Sequence, residues 1–289
     1  MSGPLRAFLL MATASALFSV MATLAKLASV EVPSAEVVFF RGLVTAAVLV
    51  GWYGRARPLA LLGTRRGLLV ARGVLGGVGL LLFFRALSDL PVADTLLLMQ
   101  TSPLWVLLLG VPLLRERVTT GQLILVPVIL GGVALVLRPS LDFINLPGLT
   151  ALAGSMFAGG AYLAVRALKE EPKHVVVLYF AGASSLASLP VALHAGWIWP
   201  SPPTWLLLVG VGAVSVAAQL LLTAAYRHDT AGRVAMAGYL GPLFAGGLDW
   251  MLWSHAPTAT TVVGAAVILS SLTALQLMAM RGARADRTE

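Results

Sequence analysis

Few side chains in this sequence have the means to do chemistry, and their spacing points away from bond-breaking. Hydrolysis inside a membrane needs paired Asp, a Ser beside a His, or a His/Glu cluster in close register. The chain has no Cys and four His, and HExxH does not occur. Without Cys, thiol catalysis, thiolate metal sites and disulfides are excluded together. The four His fall in loops or at the ends of apolar runs, and His194 has no evident Ser partner. What remains is a set of uncharged polar groups beside prolines. Gln100, Thr101 and Ser102 precede Pro103, Tyr239 precedes Pro242, and Gln219 stands in a further apolar run. Such groups recognise and orient a solute; no cofactor, metal or catalytic residue is implied.

Apolar and aromatic residues surround them in sequence. Phe83, Met99, Trp105, Met236 and Phe244 lie in the same four runs, and Met adapts its shape to varied ligands. Taken singly, each is as well explained by helix packing. As a set they describe apolar walls with a few polar groups, the usual form of a small-molecule site. Proline removes a backbone donor and clashes with the preceding turn. Pro103 and Pro242 are therefore expected to interrupt their helices and serve as a hinge pair, the alternative being passive bends tolerated by packing.

The elements that position these groups follow from composition. The 289 residues are 58% hydrophobic and 11% charged, with mean hydropathy +0.91, against about 25% charged in soluble domains. That shortage cannot cover a globule with polar surface, so the surface faces lipid. A span needs about 20 apolar residues, and unpaired backbone is excluded from lipid. The apolar runs are long and show no strand-like alternation, so a barrel is excluded. Ten helical spans are predicted: 5–28, 34–53, 68–87, 92–114 and 119–137, then 147–168, 175–193, 205–226, 232–253 and 258–280. The first has a signal-peptide look, but its apolar run is too long for an h-region and it recurs later.

Charge sets the expected orientation. The net charge of +8 comes as short patches between spans, not as a face for nucleic acid. Of 20 Lys and Arg, fifteen fall on the side that holds both termini. Lys26, Arg85 and Arg138 fall on the other, while Arg41 and Arg72 lie within spans. The positive-inside rule puts both termini in the cytoplasm. Trp197, Trp199, Trp205, Trp250 and Trp253 then form an outer interfacial belt.

The chain also repeats itself. A shift of 139 places Gly73 on Gly212, Ala86 on Ala225, Pro103-Leu104 on Pro242-Leu243 and Thr119 on Thr258. A shift of 140 places Ser15 on Ser155, Lys26 on Arg166, Phe40 on Phe180 and Gly42 on Gly182. Five spans per copy is an odd number, so the second copy enters from the opposite face. Inverted repeats belong to secondary transporters, which alternate access by exchanging the conformations of their halves. A channel needs a polar constriction that is missing here, and a scaffold has almost no extramembrane mass to offer.

The stretch Phe83-Phe84-Arg85-Ala86-Leu87, Thr101-Ser102-Pro103, Leu113-Leu114-Arg115-Glu116-Arg117-Val118-Thr119 and Gly131-Gly132-Val133 resembles the EamA-type domain of the drug/metabolite transporter superfamily. Phe39-Phe40-Arg41-Gly42 is similar to that family's Arg-bearing second span. The second copy departs from the pattern: Trp253-Ser254-His255-Ala256 replaces the Glu-containing turn, and Ala181 takes the place of Arg41. The resemblance implies an all-α membrane protein of two inverted five-helix repeats, 1–140 and 141–289. It further implies a bacterial inner-membrane exporter, most like those of aromatic and other neutral amino acids. Another small neutral metabolite or drug is the alternative solute, and an intramembrane enzyme is disfavoured.

No acidic or basic residue sits mid-span in the third, fourth, eighth or ninth runs, which favours a neutral or zwitterionic substrate. Lys26 and Glu36 flank Glu31 by five residues, so an antiparallel hairpin is expected to pair them. Arg41, about 12 Å into the membrane, either pairs with a carboxylate such as Asp249 at an outer gate or snorkels. Coupling is expected through Glu36 or Asp249, or not at all, the carrier then working by facilitated diffusion. Beyond lipid and solute the fold requires no partner, so a monomer suffices.

Overall fold

The computed structural model describes residues 3–54, 62–102, 104–106, 108–109, 120–137, 146–168, 170–225 and 237–285. Among the described residues there is no strand, and the helices follow the predicted runs. In chain order they are α1 (Gly3–Ala28), α2 (Ser34–Leu49, continued as a π-helix over Val50–Gly54), α3 (Arg66–Asp89), α4 (Val92–Met99), α5 (Thr120–Leu137), α6 (Leu146–Ala167), α7 (Lys173–His194), α8 (Pro202–Ala225), α9 (Gly241–Trp253) and α10 (Ala259–Ala285). Of these, α1, α2, α3, α6, α7 and α8 are long and apolar enough to cross a membrane unaided. Large apolar side chains point outward with nothing to cover them: Leu206 is 77% and Met251 79% exposed. Lipid is the solvent that makes such a surface stable.

The helices do not form two separate five-helix bundles. Their principal packing runs between the repeats, and it is unchanged when the repeats are exchanged. The α3–α6 pair matches α8–α1, α3–α7 matches α8–α2, and α4–α6 matches α9–α1. The other pairs that cross between the repeats, α2–α7, α4–α9 and α5–α10, map onto themselves. That pattern is what a two-fold axis relating the halves produces.

Small residues permit the closest approaches, as membrane packing requires. On α3, a Cβ added at Gly79 would fall 3.0 Å from the carbonyl oxygen of Gly154 on α6, and one at Gly154 would fall 3.1 Å from that of Gly79. At the equivalent α1–α8 crossing stand Ala14 and Ala218, both wholly buried.

An acidic staple closes each of these two pairs. In the α6–α7 turn, Glu171 Oε1 accepts hydrogen bonds from Thr64 N at 2.7 Å, Arg65 N at 2.6 Å and the Thr64 hydroxyl, at the start of α3. In the α1–α2 turn, 140 residues earlier, Glu31 accepts from Ser201 N at 2.6 Å, Ser201 Oγ at 2.7 Å and the Thr204 hydroxyl, at the start of α8. Each carboxylate satisfies donors that a helix N-terminus leaves unmet, and the helix dipole favours its charge. The staples sit on opposite faces: Glu171 on the face where the chain begins, Glu31 on the other.

These bonds hold both carboxyls below their ordinary value of 4.5. The Thr64 hydroxyl and Arg65 N–H lead for Glu171, and the Thr204 and Ser201 hydroxyls lead for Glu31. A carboxylate with a depressed folded-state pKa stabilises fully above its unfolded value and loses that contribution as pH falls through the folded one. Wild-type protein in detergent should therefore lose thermal stability below pH 4.5. The Glu31→Gln/Glu171→Gln protein should melt lower at pH 7 and show a flatter acid limb; parallel acid limbs in melting curves would remove the staples from the stability balance.

Candidate functional site

Prolines at 103 and 242 have no N–H, so the carbonyls four residues earlier, Met99 and Gly238, lose their helical donors. The chain breaks at that level in both repeats. The helix α4 ends at Met99; Gln100 and Thr101 form a turn, and Leu104 N returns to Thr101 O at 2.9 Å. In the second repeat, residues 237 and 238 are helical, Tyr239 and Leu240 turn, and α9 starts at Gly241 with Pro242 in its first turn. Pro103 itself lies outside the described residues, as does Met236. The interruption thus stands about one turn before each proline rather than at it. From the start of α4, Gln100 lies about 12 Å deep at 1.5 Å per residue, close to the middle of the bilayer.

Side chains from the other repeat fill the broken backbone. Gln100 Nε2 donates to the Gly238 carbonyl at 2.9 Å, joining one break to the other. On α1, Ser15 Oγ reaches the same carbonyl at 3.5 Å, and Ser19 Oγ donates to Gly241 O at 2.9 Å. On α6, Ser155 Oγ lies 2.8 Å from Thr101 Oγ1 and accepts from Trp105 Nε1 at 2.8 Å. Gly159, one turn further on, takes the position of Ser19; a Cβ there would meet Trp105 Cβ at 2.7 Å and Ser102 O at 3.0 Å. The first span therefore supports the ninth as the sixth supports the fourth. Ser15 and Ser155 carried the repeat in the sequence; their place against the breaks was not read there.

The expected site residues divide between several places. Gln100, Met99, Trp105, Tyr239 and Pro242 gather at the breaks. Tyr239 is buried against Leu97, Leu98, Leu104, Ile268 and Leu272, and Met99 Sδ lies by Gly154. Phe83 packs with Phe84 in the neighbouring cluster formed by α1, α2, α3 and α8. Gln219 is half-buried on α8, and Phe244 is exposed on the surface of α9.

The expected charge pairs do not form. Lys26 Nζ donates to the Leu90 carbonyl at the α3–α4 turn and stands 5.4 Å from the Trp253 ring centroid. Glu36 is fully buried and accepts from Ile198 N at 2.8 Å, in the segment before α8. Glu36 turns to the opposite repeat, while Lys26 bonds within its own repeat, at the α3–α4 turn, and meets the other only through the Trp253 ring. Asp249 does not reach Arg41. Its two oxygens accept from Val92 N at 3.1 Å and Ala93 N at 2.8 Å, so one broken span caps the other. Arg41 is buried and lies 5.4 Å from the Phe180 ring centroid, beside Arg72. Among the described residues the only ion pair is Arg85–Asp89, on the surface at 2.6 Å.

Between the ends of α4, α9 and α10 on the face away from the chain ends lies a cavity of about 530 Å³. Leu90, Asp94 and Leu98 line it from one side, and Gly246, Asp249 and His255 from the other. Its depth reaches Leu98, two residues short of Gln100, so it approaches the breaks from the face away from the chain ends. Among the described residues no three His, Asp or Glu stand close enough to hold a metal ion. The arrangement is suited to passing a small solute, with a polar junction at mid-depth and a chamber above it.

Comparison with known proteins gives this arrangement its context. The profile of the EamA-like transporter family matches residues 5–138 and again 146–276. The pseudopaline exporter CntI of Pseudomonas aeruginosa PAO1 is 33% identical over 271 residues, 92% of this chain and 94% of its own. Its counterpart in strain UCBPP-PA14 is 34% identical over 272 residues, with the same coverage. A riboflavin transporter of Vibrio cholerae is 26% identical over 302 residues, covering 98% of this chain and 97% of its own. One solved structure superimposes with a TM-score of 0.66 at 24% identity, over 95% of this chain and 98% of that one. It shares the fold.

The Gln100–Gly238 bond makes a prediction of its own. Gln100→Leu leaves a buried carbonyl without its donor at the junction. Interhelical bonds of this kind contribute about 0.6–2 kcal/mol in membranes. The variant should lose that amount in reversible unfolding from mixed micelles, and a Ser15→Ala/Gln100→Leu pair should lose more than Gln100→Leu alone. An unchanged unfolding free energy in both variants would show that the junction does not hold the breaks together.

Proposed function

The chain belongs to the EamA-like transporter family, and on that footing we propose that it carries a small zwitterionic amino-acid-class solute, aromatic side chains included, out of the cell by alternating access. It is a membrane transporter of the drug/metabolite superfamily and not an enzyme. The observation that carries the reading is the meeting of two interrupted spans, from opposite repeats, at mid-membrane. Transporter sites are built on such discontinuous helices, where freed backbone groups and few side chains meet the solute.

The geometry suits alternation. The pairs α1–α8 and α3–α6 are closely packed and stapled, so each moves as a unit. The breaks at Gln100–Thr101 and Tyr239–Leu240 supply the compliant points between them. A solute entering from the face of the chain ends, cytoplasmic by the charge count, meets the junction and leaves through the chamber under Asp249 and Asp94. Met99, Trp105 and Tyr239 offer apolar wall for an aromatic side chain, with Gln219 a further polar contact from α8. Asp249 holds the N-terminus of α4, so a change in its charge bears directly on the fourth span; it is the coupling group of this reading.

A second solute is favoured by one observation. Two pseudopaline exporters share about a third of their residues with this chain over nine-tenths of its length, so pseudopaline belongs in the same assay. Proteoliposomes loaded with labelled phenylalanine or with pseudopaline should release one of them faster than protein-free vesicles. Tyr239→Ala and Gln219→Ala should each slow that release about tenfold, the equivalent of about 1.4 kcal/mol, without loss of folded protein. Release at the protein-free rate for both solutes would overturn the proposal.

A further inference from the structure

Two cations inside the bundle have no ion-pair partner among the described residues. Arg41 of α2 is 3% exposed, and with Arg72 of α3 it lies over the ring of Phe180 on α7, the guanidinium carbons 5.4 and 4.6 Å from its centroid. In each guanidinium Nε and Nη1 are buried and donate to nothing. Among the described residues no carboxylate approaches either one. Cation–π contact offsets part of the cost, but two like charges with unmet donors in a membrane interior remain expensive and mark a functional site by default.

The internal repeat supplies a control for this position. In the second repeat the equivalents of Arg41 and Arg72 are Ala181 and Val211, both fully buried. The equivalent of Phe180 is Phe40, which packs against Trp205 at 4.7 Å and Trp197 at 5.6 Å. The same crossing therefore closes with no cation at these positions, so packing does not require the arginines. The sequence also makes room for one of them: a Cβ at Gly76 would fall 2.1 Å from Arg72 Nη1. Only glycine lets that guanidinium lie back on its own helix.

We propose that Arg41 and Arg72 form an anion-binding subsite, facing the side of the chain ends, that takes the carboxylate of the transported solute. A guanidinium presents planar, forked donors that match a carboxylate, and two of them clasp one or two such groups. Arg72 and Phe180 lie six and seven residues inside the starts of α3 and α7, about 10 Å from that face, and Arg41 reaches the same ring from seven residues inside the opposite end of α2. A solute entering there meets Arg72 before it reaches the breaks, and Arg41 behind it. The inference rests on the transport reading for the identity of the solute, but the site can be measured without transport. An anionic lipid headgroup offers similar chemistry and is separated by the same experiment.

The test uses the purified full chain in neutral detergent free of anionic lipid, with malonate as probe against chloride at equal ionic strength. A ligand of the folded state raises the unfolding temperature by mass action. Saturating malonate should raise it by about 2 °C or more, while malonamide should not. Arg41→Met/Arg72→Met should melt no lower than wild type in chloride and show no malonate response. Gly76→Ala, which displaces Arg72 without removing charge, should weaken the response and covers the case in which the double variant fails to fold. A malonate response that survives in the double variant, or a double variant that simply melts lower, would falsify the subsite. A response to phosphatidylglycerol but not malonate would overturn it in favour of a lipid. Malonate binding without release of any carboxylate solute from vesicles supports the subsite and counts against the transport reading; release of solute without malonate binding does the reverse.

Discussion

In lipid, every backbone polar group that leaves a helix must find a partner in protein, and the organisation of this molecule follows from that constraint. The prolines of the fourth and ninth spans free carbonyls at mid-depth. A lone kinked helix would expose them to hydrocarbon. Here the two broken helices face one another, and Gln100 answers for Gly238 while Ser15 and Ser19 of the first span reach Gly238 and Gly241 beside it. The breaks are tolerable only because they are adjacent, and their adjacency puts the one compliant, polar region of the bundle at its centre. Function and folding place the same demand on the same residues.

Interleaving of the repeats follows from the same economy. Each broken span needs support from an unbroken one, and its own repeat cannot give it, since contacts within a repeat are sparse beside those across the axis. The first span supports the ninth and the sixth the fourth. The Glu31 and Glu171 staples then bind the flanking pairs at opposite faces, each through one carboxylate and a helix start. The result is two stiff arms crossing at a soft centre. Motion there needs no helix to unfold, because the turns at Gln100 and Tyr239 have already given up their ladder.

Much of this was legible in residues alone. Apolar run length located the spans within a few residues, and a gap-free shift revealed the repeat, because both depend on properties local to the chain. The breaks were assigned to the prolines themselves; the physics of proline acts four residues earlier, which is where the helices stop. Pairing of Lys26 with Glu36 failed for a different reason. It takes neighbours in sequence for neighbours in space; Glu36 turns instead to the segment before α8 in the other repeat, and Lys26 to the α3–α4 turn. Glu31 and Glu171 went unnoticed although their spacing of 140 matched the repeat and was the available signal. In the sequence Arg72 is only a cation within the third span, yet the crossing of α3 with α7 places it beside Arg41. No spacing along one helix can show that.

Duplication also turns the protein into its own reference. Where both copies keep the same solution, as with Ser15 and Ser155 or the two acidic staples, the fold itself demands it. Where they part, folding is satisfied by the plainer copy and the richer one needs another cause. Arg41 and Arg72 against Ala181 and Val211 are the clearest divergence in the interior; they meet over Phe180, while the equivalent crossing is closed by Phe40, Trp197 and Trp205. A symmetric machine moves equally well in either direction; it acquires a preferred cargo only through groups that break its symmetry. The two arginines break it with charge at one crossing, and the aromatic cluster breaks it with apolar packing at the equivalent one. Selectivity in this molecule is therefore to be sought in the differences between its halves, and motion in what they share.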